Sequence, residues 1–301
     1  LADTPYEAVL VIGGTRNLAG LWWVKRRGVP IIQRLDGMNW IHRKTRTGVR
    51  HYLRAEYGNF ILSLIRARLA DRLIYQSEFS RQWWERVYGK KDIPWKVVHN
   101  GVDIDIFTPA GTVEMPKDQV RILLVEGTIG GGYEFGLQTA AEIASSLQSI
   151  YHRKIELMVV GRISKSLRES SKRQDGIQMT YMGQVAIDRI PALDRSAHVL
   201  YAADLFPACP NSVIEALACG LPVAGFDTGS LAEIVTQASG EVVPYGADPW
   251  NLEHPDINRL AEAIEHLLHN QAAYKKAARH RAEQAFGLER MIDGYLEGLM
   301  L

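Results

Sequence analysis

What most constrains this chain is a rhythm of short apolar runs, each ending in a small-residue loop that opens a helical period. Residues 8–12, 30–33, 73–76 and 96–99 read as strands in the first part. Residues 121–125, 155–160, 178–182, 199–202 and 222–225 repeat the pattern in the second. Helical periods fall between them, toward Arg27 and over 48–70, 78–88, 136–149, 212–219 and 230–236. Brief apolar runs alternating with helices imply parallel sheets covered on both faces. The expected fold is therefore α/β, with two Rossmann-like domains in tandem. Residues 257–301 read as helical throughout. Leu260, Ile264, Leu267 and Leu268 form one stripe, and Met291, Ile292, Tyr295 and Leu296 share a face of a last helix, 288–300.

Charge divides the chain at the same scale. Its net charge of +1 combines +8 over residues 1–107 with −7 over residues 108–301. The reversal adjoins Pro109, Ala110 and Gly111, which sets the expected domains at 1–107 and 108–287. The helix 288–301 is expected to pack back on the first domain. A basic half either seeks an anionic partner or is a solvated surface. With 301 residues, 47% of them hydrophobic, disorder and disulfide-stapled miniproteins are excluded. Cys209 and Cys219 are too few for a disulfide framework, and no apolar run reaches the ~18–20 residues of a membrane span. A cytoplasmic location is expected. Nucleic acid is not an expected partner, because no aromatic-basic stacking platform occurs.

In open parallel sheets a ligand sits beyond the carboxyl ends of the strands. The loop there with Gly127, Gly130 and Gly131 reads either as a phosphate-binding turn or as a plain flexible one. Arg162 ends the next strand, as a cleft guanidinium or a surface residue. Gly183 and Gln184 end another, where a flat base could lie on the backbone. The most informative stretch is 205–223, a loop, a short helix, a stop at Gly220 and a strand. Asn211 and Ser212 suit an N-cap, and the first-turn amides can bind a diphosphate. Glu215 can accept two ribose hydroxyls, or simply complement the helix dipole.

These segments resemble the retaining family-4 glycosyltransferases of the GT-B fold. The resemblance is carried by His99-Asn-Gly-Val-Asp103, Phe107-Thr-Pro109, Tyr181-Met-Gly183, residues 210–223 and Gly229-Ser-Leu-Ala-Glu-Ile-Val235. Arg34-Leu-Asp-Gly37 and Gln76-Ser-Glu-Phe-Ser80 match more loosely. The resemblance implies a nucleoside diphosphate sugar, of UDP or GDP, held between two domains. It also implies a glycan or lipid-linked acceptor hydroxyl and no metal or other cofactor. Glu215 would hold the ribose, Asn211 and Ser212 the diphosphate, and Gly183 and Gln184 the base.

Three departures stand out. Pro207 occupies the place of an acid that contacts the donor sugar. No Lys or Arg occurs between Arg121 and Arg153, where the family has a phosphate clamp, which leaves Arg162 or Lys165 as the candidate substitute. Asp36 stands where many relatives place a His near the sugar-transfer centre, which makes it the candidate catalytic residue. A binding paralogue and a sugar-nucleotide epimerase are the alternatives to a transferase. The first domain also reads as incomplete, with about its first third missing upstream of Leu1.

The segment His42-Arg-Lys-Thr-Arg-Thr-Gly-Val-Arg-His-Tyr-Leu-Arg54, running into 60–65, mixes basic with apolar and aromatic residues. It suits either an anionic membrane surface, giving a peripheral place on the inner face, or a packed helix with a solvated basic side.

Overall fold

The computed structural model describes residues 6–130, 134–171 and 176–300. It divides into two units, one of residues 1–100 with 289–301 and one of residues 101–288.

In the first unit β1 (Val9–Ile12), β2 (Ile31–Leu35), β3 (Arg72–Tyr75) and β4 (Trp95–Val97) form a parallel sheet in that order. The connecting helices are α1 (Leu18–Arg26), α2 (Val49–Leu64) and α3 (Glu78–Tyr88). Neighbouring residues of β2 serve opposite faces, as the strand period of two requires. Ile31 packs with Leu21, Val24, Ile61 and Ile65, whereas Ile32 packs with Ile74 and Val98. Side-chain caps start two of the helices: Asn17 Oδ1 accepts from the Gly20 amide and Ser77 Oγ from the Ser80 amide.

The C-terminal helix, Leu288–Met300, covers the second face of this sheet. Met291, Tyr295 and Leu299 form its inward row, and the Arg72 guanidinium donates to the Leu299 carbonyl. Ile292 and Leu296, expected on the same face, are half exposed. Two other expectations shift. The helix expected over 48–70 ends at Leu64 and continues as one wider turn, Ile65–Leu69. The stretch 257–301 is broken at Asn270 and again at Phe286–Gly287.

In the second unit the strands are β5 (Val120–Ile129), β6 (Ile155–Ile163), β7 (Gln178–Gly183), β8 (Val199–Ala202), β9 (Val223–Phe226) and β10 (Gly240–Val243). They are all parallel, in the order β10-β9-β8-β5-β6-β7. The helices are α4 (Glu134–Tyr151), α5 (Lys165–Ser171), α6 (Ile190–Arg195), α7 (Asn211–Ala218), α8 (Leu231–Ile234), α9 (Ile257–His269) and α10 (Gln271–Ala285). Ile122, Leu124, Leu157 and Val159 meet α4 and α9 on one face. Leu123, Met158, Val160 and Leu200 meet α7 and α10 on the other. β10 has no counterpart among the expected strands, since its four residues open on Gly240 and include Glu241 and give no apolar run.

The units meet at residue 100 rather than 107. Val102 donates to the Phe286 carbonyl at 2.7 Å and accepts from the Leu288 amide at 3.2 Å. Val102 and Phe107 are buried in the core of the second unit. The charge reversal therefore lies inside that unit, a few residues past the crossover. Cys209 and Cys219 are both buried free thiols.

Candidate functional site

The carboxyl ends of β5 to β8 converge with the start of α7 on one cavity of about 380 Å³. That volume suits a small-molecule site. Gly127 comes from β5, Gly161 from β6, Gln184 follows β7, Asp204 follows β8, and α7 contributes Asn211, Ser212 and Glu215.

A bulge shapes its floor. Val125 pairs with Val160 and Thr128 with Arg162, so Glu126 and Gly127 together oppose the single residue Gly161. A bulge of this kind bends its strand and re-aims side chains, and here it puts Glu126 on the cavity wall. The two backbones touch: a Cβ at Gly161 would lie 2.0 Å from the Glu126 carbonyl oxygen, at a φ of +139°. The expected glycine turn at Gly127 is thus corrected. β5 continues through Ile129, and Gly130 lies beyond its end outside the lining residues. Gly131 falls outside the described residues.

The start of α7 also differs from expectation. Pro210, not Asn211 or Ser212, is the N-cap, so these two residues occupy the first turn itself. A proline side chain has no acceptor, and the helix opens toward the cavity without a side-chain cap. Its amides and the positive end of the helix dipole suit an anion. Glu215 lies one turn further in, and burial pushes its carboxyl above the usual carboxylate range.

Glu126 and Asp204 add two further acids to a wall that also carries Val125, Val160, Val185, Ile187 and Ile190. Both also line an adjoining smaller cavity with Gly136 and Leu137. Burial, then the charge of Asp204, pushes the Glu126 carboxyl up to about 8. Burial raises Asp204 as well, opposed by the Phe206 amide, which donates to Asp204 Oδ1 at 3.3 Å. Neither residue was singled out in the sequence. The available signal was position, since each is the first acid after an apolar run, Glu126 directly after 121–125 and Asp204 two residues after 199–202.

Arg162 is exposed and donates to Gln184 Oε1 at 3.2 Å, outside the lining residues. Lys165 is exposed at the start of α5. Gly183 precedes Gln184 at the end of β7 with a φ of +70°. Pro207 is buried against the 228–230 loop: the Ser230 amide donates to its carbonyl at 2.9 Å, and a Cβ at Gly229 would come within 2.4 Å of its ring. Asp36 lies in the first unit, just past β2, where its carbonyl accepts from Trp84 Nε1 at 2.8 Å and from Ser80 Oγ at 3.2 Å.

Replacing Glu126 tests the acidic wall. The folded carboxyl keeps its proton up to about pH 8, whereas in the unfolded chain it ionises near 4.5. The folded state therefore holds the extra proton across this window, and stability falls as pH rises through it. Glu126→Gln is expected to flatten that fall, melting roughly 5 °C above the parent at pH 8.5 and near it at pH 4.5. Parallel melting curves across this range would remove the assignment.

Comparison with known proteins gives the class. The sucrose-phosphate synthase of Thermosynechococcus elongatus aligns with a TM-score of 0.71 at 19% identity, covering 98% of this chain and 73% of that one. Anabaena Alr3699/HepE in complex with UDP-glucose aligns with a TM-score of 0.68 at 17% identity, covering 97% and 78%. Two parallel α/β units with these neighbours define a GT-B architecture. The Glycosyl transferases group 1 family model matches residues 121–270, and the Glycosyltransferase Family 4 model matches residues 12–106. The chain belongs to the family-4, group 1 glycosyltransferases. A D-inositol 3-phosphate glycosyltransferase of Mycobacteroides abscessus is 25% identical over 234 residues, which are 69% of this chain. The chain spans about half the length of that relative, 47%.

Proposed function

We propose that this chain transfers a sugar from a nucleoside diphosphate to an acceptor hydroxyl, with the nucleotide held in the second-unit cavity. The observation that carries the proposal is the convergence of Gly127, Gln184, the uncapped start of α7 and Glu215 on that cavity. The first-turn amides of α7 face the diphosphate, and the Glu215 carboxylate accepts the ribose hydroxyls. With no Lys or Arg among the described residues of the cavity wall, the protonated Glu126 carboxyl donates to a phosphate oxygen. The protein then contributes orientation and stabilisation of the departing diphosphate. We further propose UDP or GDP as the nucleotide, retention at the anomeric carbon, no metal, and a glycan or lipid-linked acceptor. Family membership and the UDP-glucose complex of the Anabaena protein support the nucleotide sugar.

Calorimetry with UDP, GDP and their monophosphates tests the binding site, and transfer from UDP- and GDP-sugars with and without a chelator tests the activity. The diphosphates are expected to bind at least tenfold more tightly than the monophosphates, and transfer to survive chelation. Equal affinity for mono- and diphosphates would reject the α7 site. Tight binding without transfer to any acceptor would leave a binding paralogue.

A further inference from the structure

We propose that the outward face of α2 docks this protein on an anionic lipid bilayer, an interaction separate from the nucleotide cavity. An ordinary surface helix turns its apolar stripe to the core and its polar side to water. α2 does the reverse along its first three turns. Its inward contacts are small or polar: Ala55 and Asn59 are buried. Asn59 exchanges hydrogen bonds with Asn39, accepting from its amide at 3.0 Å and donating to its carbonyl at 2.8 Å. Its large apolar residues face out. Val49 is 77% exposed, Leu53 63%, Tyr57 51% and Phe60 56%.

At ~100° per residue these four side chains fall within an arc of about 80°, along about 17 Å of helix. A contiguous exposed apolar strip of this kind marks an interaction surface.

The charges beside the strip select the partner. Arg50 and Arg54 continue the same arc, and Arg46 precedes the helix; all three are exposed. Among the described residues none of the three has an acidic partner within ion-pair distance. The one acid of α2, Glu56, is engaged on its own side. Arg43 holds it through Nε at 2.6 Å and Nη2 at 2.8 Å, and His42 Nε2 lies 2.8 Å away. The Arg43 hydrogen bonds, followed by that of His42, bring the Glu56 carboxyl down to about 2. Arg43 is therefore consumed internally, and Arg46, Arg50 and Arg54 are left as free cations next to an apolar strip.

A helix lying in the plane of an interface, with apolar side chains at the headgroup boundary and arginines on lipid phosphates, matches this pattern. No helix among the described residues is long and apolar enough to cross a membrane, so the attachment proposed is to the surface. Aromatic residues elsewhere in the unit differ. On α1, Arg26 stacks on Trp22 at 4.2 Å and Arg27 on Trp23 at 3.6 Å, so those rings already carry cations.

Sedimentation of the full chain with phosphatidylcholine vesicles, and with vesicles containing phosphatidylglycerol, tests the proposal. Pelleting with the anionic vesicles alone, weakened between 0.1 and 1 M salt as the Debye length falls from ~10 to ~3 Å, is expected. Arg50→Gln with Arg54→Gln should weaken it about thirtyfold, at ~1 kcal/mol per charge. Leu53→Asp with Phe60→Asp should abolish it while leaving the melting temperature and UDP or GDP affinity unchanged. Equal pelleting on both vesicles, or none, overturns the proposal. So does a concentration-dependent dimer in light scattering that the Leu53→Asp, Phe60→Asp variant abolishes, since the face would then belong to a second copy.

Discussion

Gly161→Ala is expected to cost the second unit about 3 kcal/mol or more and to lower its melting temperature by roughly 10 °C. Two effects combine. The φ of +139° is one that L side chains rarely adopt, and the new methyl would lie 2.0 Å from a backbone oxygen that cannot swing away. Relief requires β5 and β6 to separate at the bulge, which is also the cavity floor, so nucleotide affinity should fall with stability. Gly127→Ala is the matched control. That glycine is in the same bulge, yet its added carbon meets nothing within 4 Å and its φ is unremarkable. Thermal melts of the two variants decide the matter. Similar losses would mean that the close approach at Gly161 has no special weight.

Glu215→Gln is expected to weaken nucleoside diphosphate binding by tenfold or more with little change in fold. The amide keeps the shape but replaces a charged acceptor, and charge-assisted hydrogen bonds contribute ~1.5–3 kcal/mol. The parent should also show acid sensitivity. Because burial raises the Glu215 carboxyl, its protonation begins above the ordinary carboxylate range, and affinity should fall as pH drops into that region. Titration calorimetry at several pH values provides both readings. An unchanged affinity in Glu215→Gln, or a variant that keeps the parent's acid sensitivity, would assign the ribose contact elsewhere.

The residues that were legible in the sequence are those whose role follows from local chemistry. Strand and helix positions followed from periodicity, because continuous apolar runs and buried helical stripes must be paired to leave water. Asn211, Ser212 and Glu215 line the cavity; the helix start after a strand marked the place, and only the family resemblance distinguished a ribose role for Glu215 from a helix-dipole one. Glu126 and Gly161 were not. Their importance comes from a register shift between two strands whose partners at the bulge, Val125 and Val160, are 35 residues apart, and a bulge leaves no periodic trace. The N-cap was misplaced for a related reason. Asn and Ser outrank Pro at a helix start by propensity, yet Pro210 lies in an extended conformation and stops the helix from beginning earlier. Arg43 looked like one more surface cation until Glu56, 13 residues away, was seen to hold it.

The C-terminal helix has a consequence for biosynthesis. The chain leaves the first unit at residue 100, completes the second, and returns at residue 289. A polypeptide emerging from the ribosome therefore presents Ile32, Ile74 and Val98 long before Met291, Tyr295 and Leu299 exist to cover them. The second unit can close while the earlier-made sheet is still bare on one side. The nascent first unit therefore exposes one apolar face of its sheet until residues 289–300 have been made, an aggregation-exposed interval.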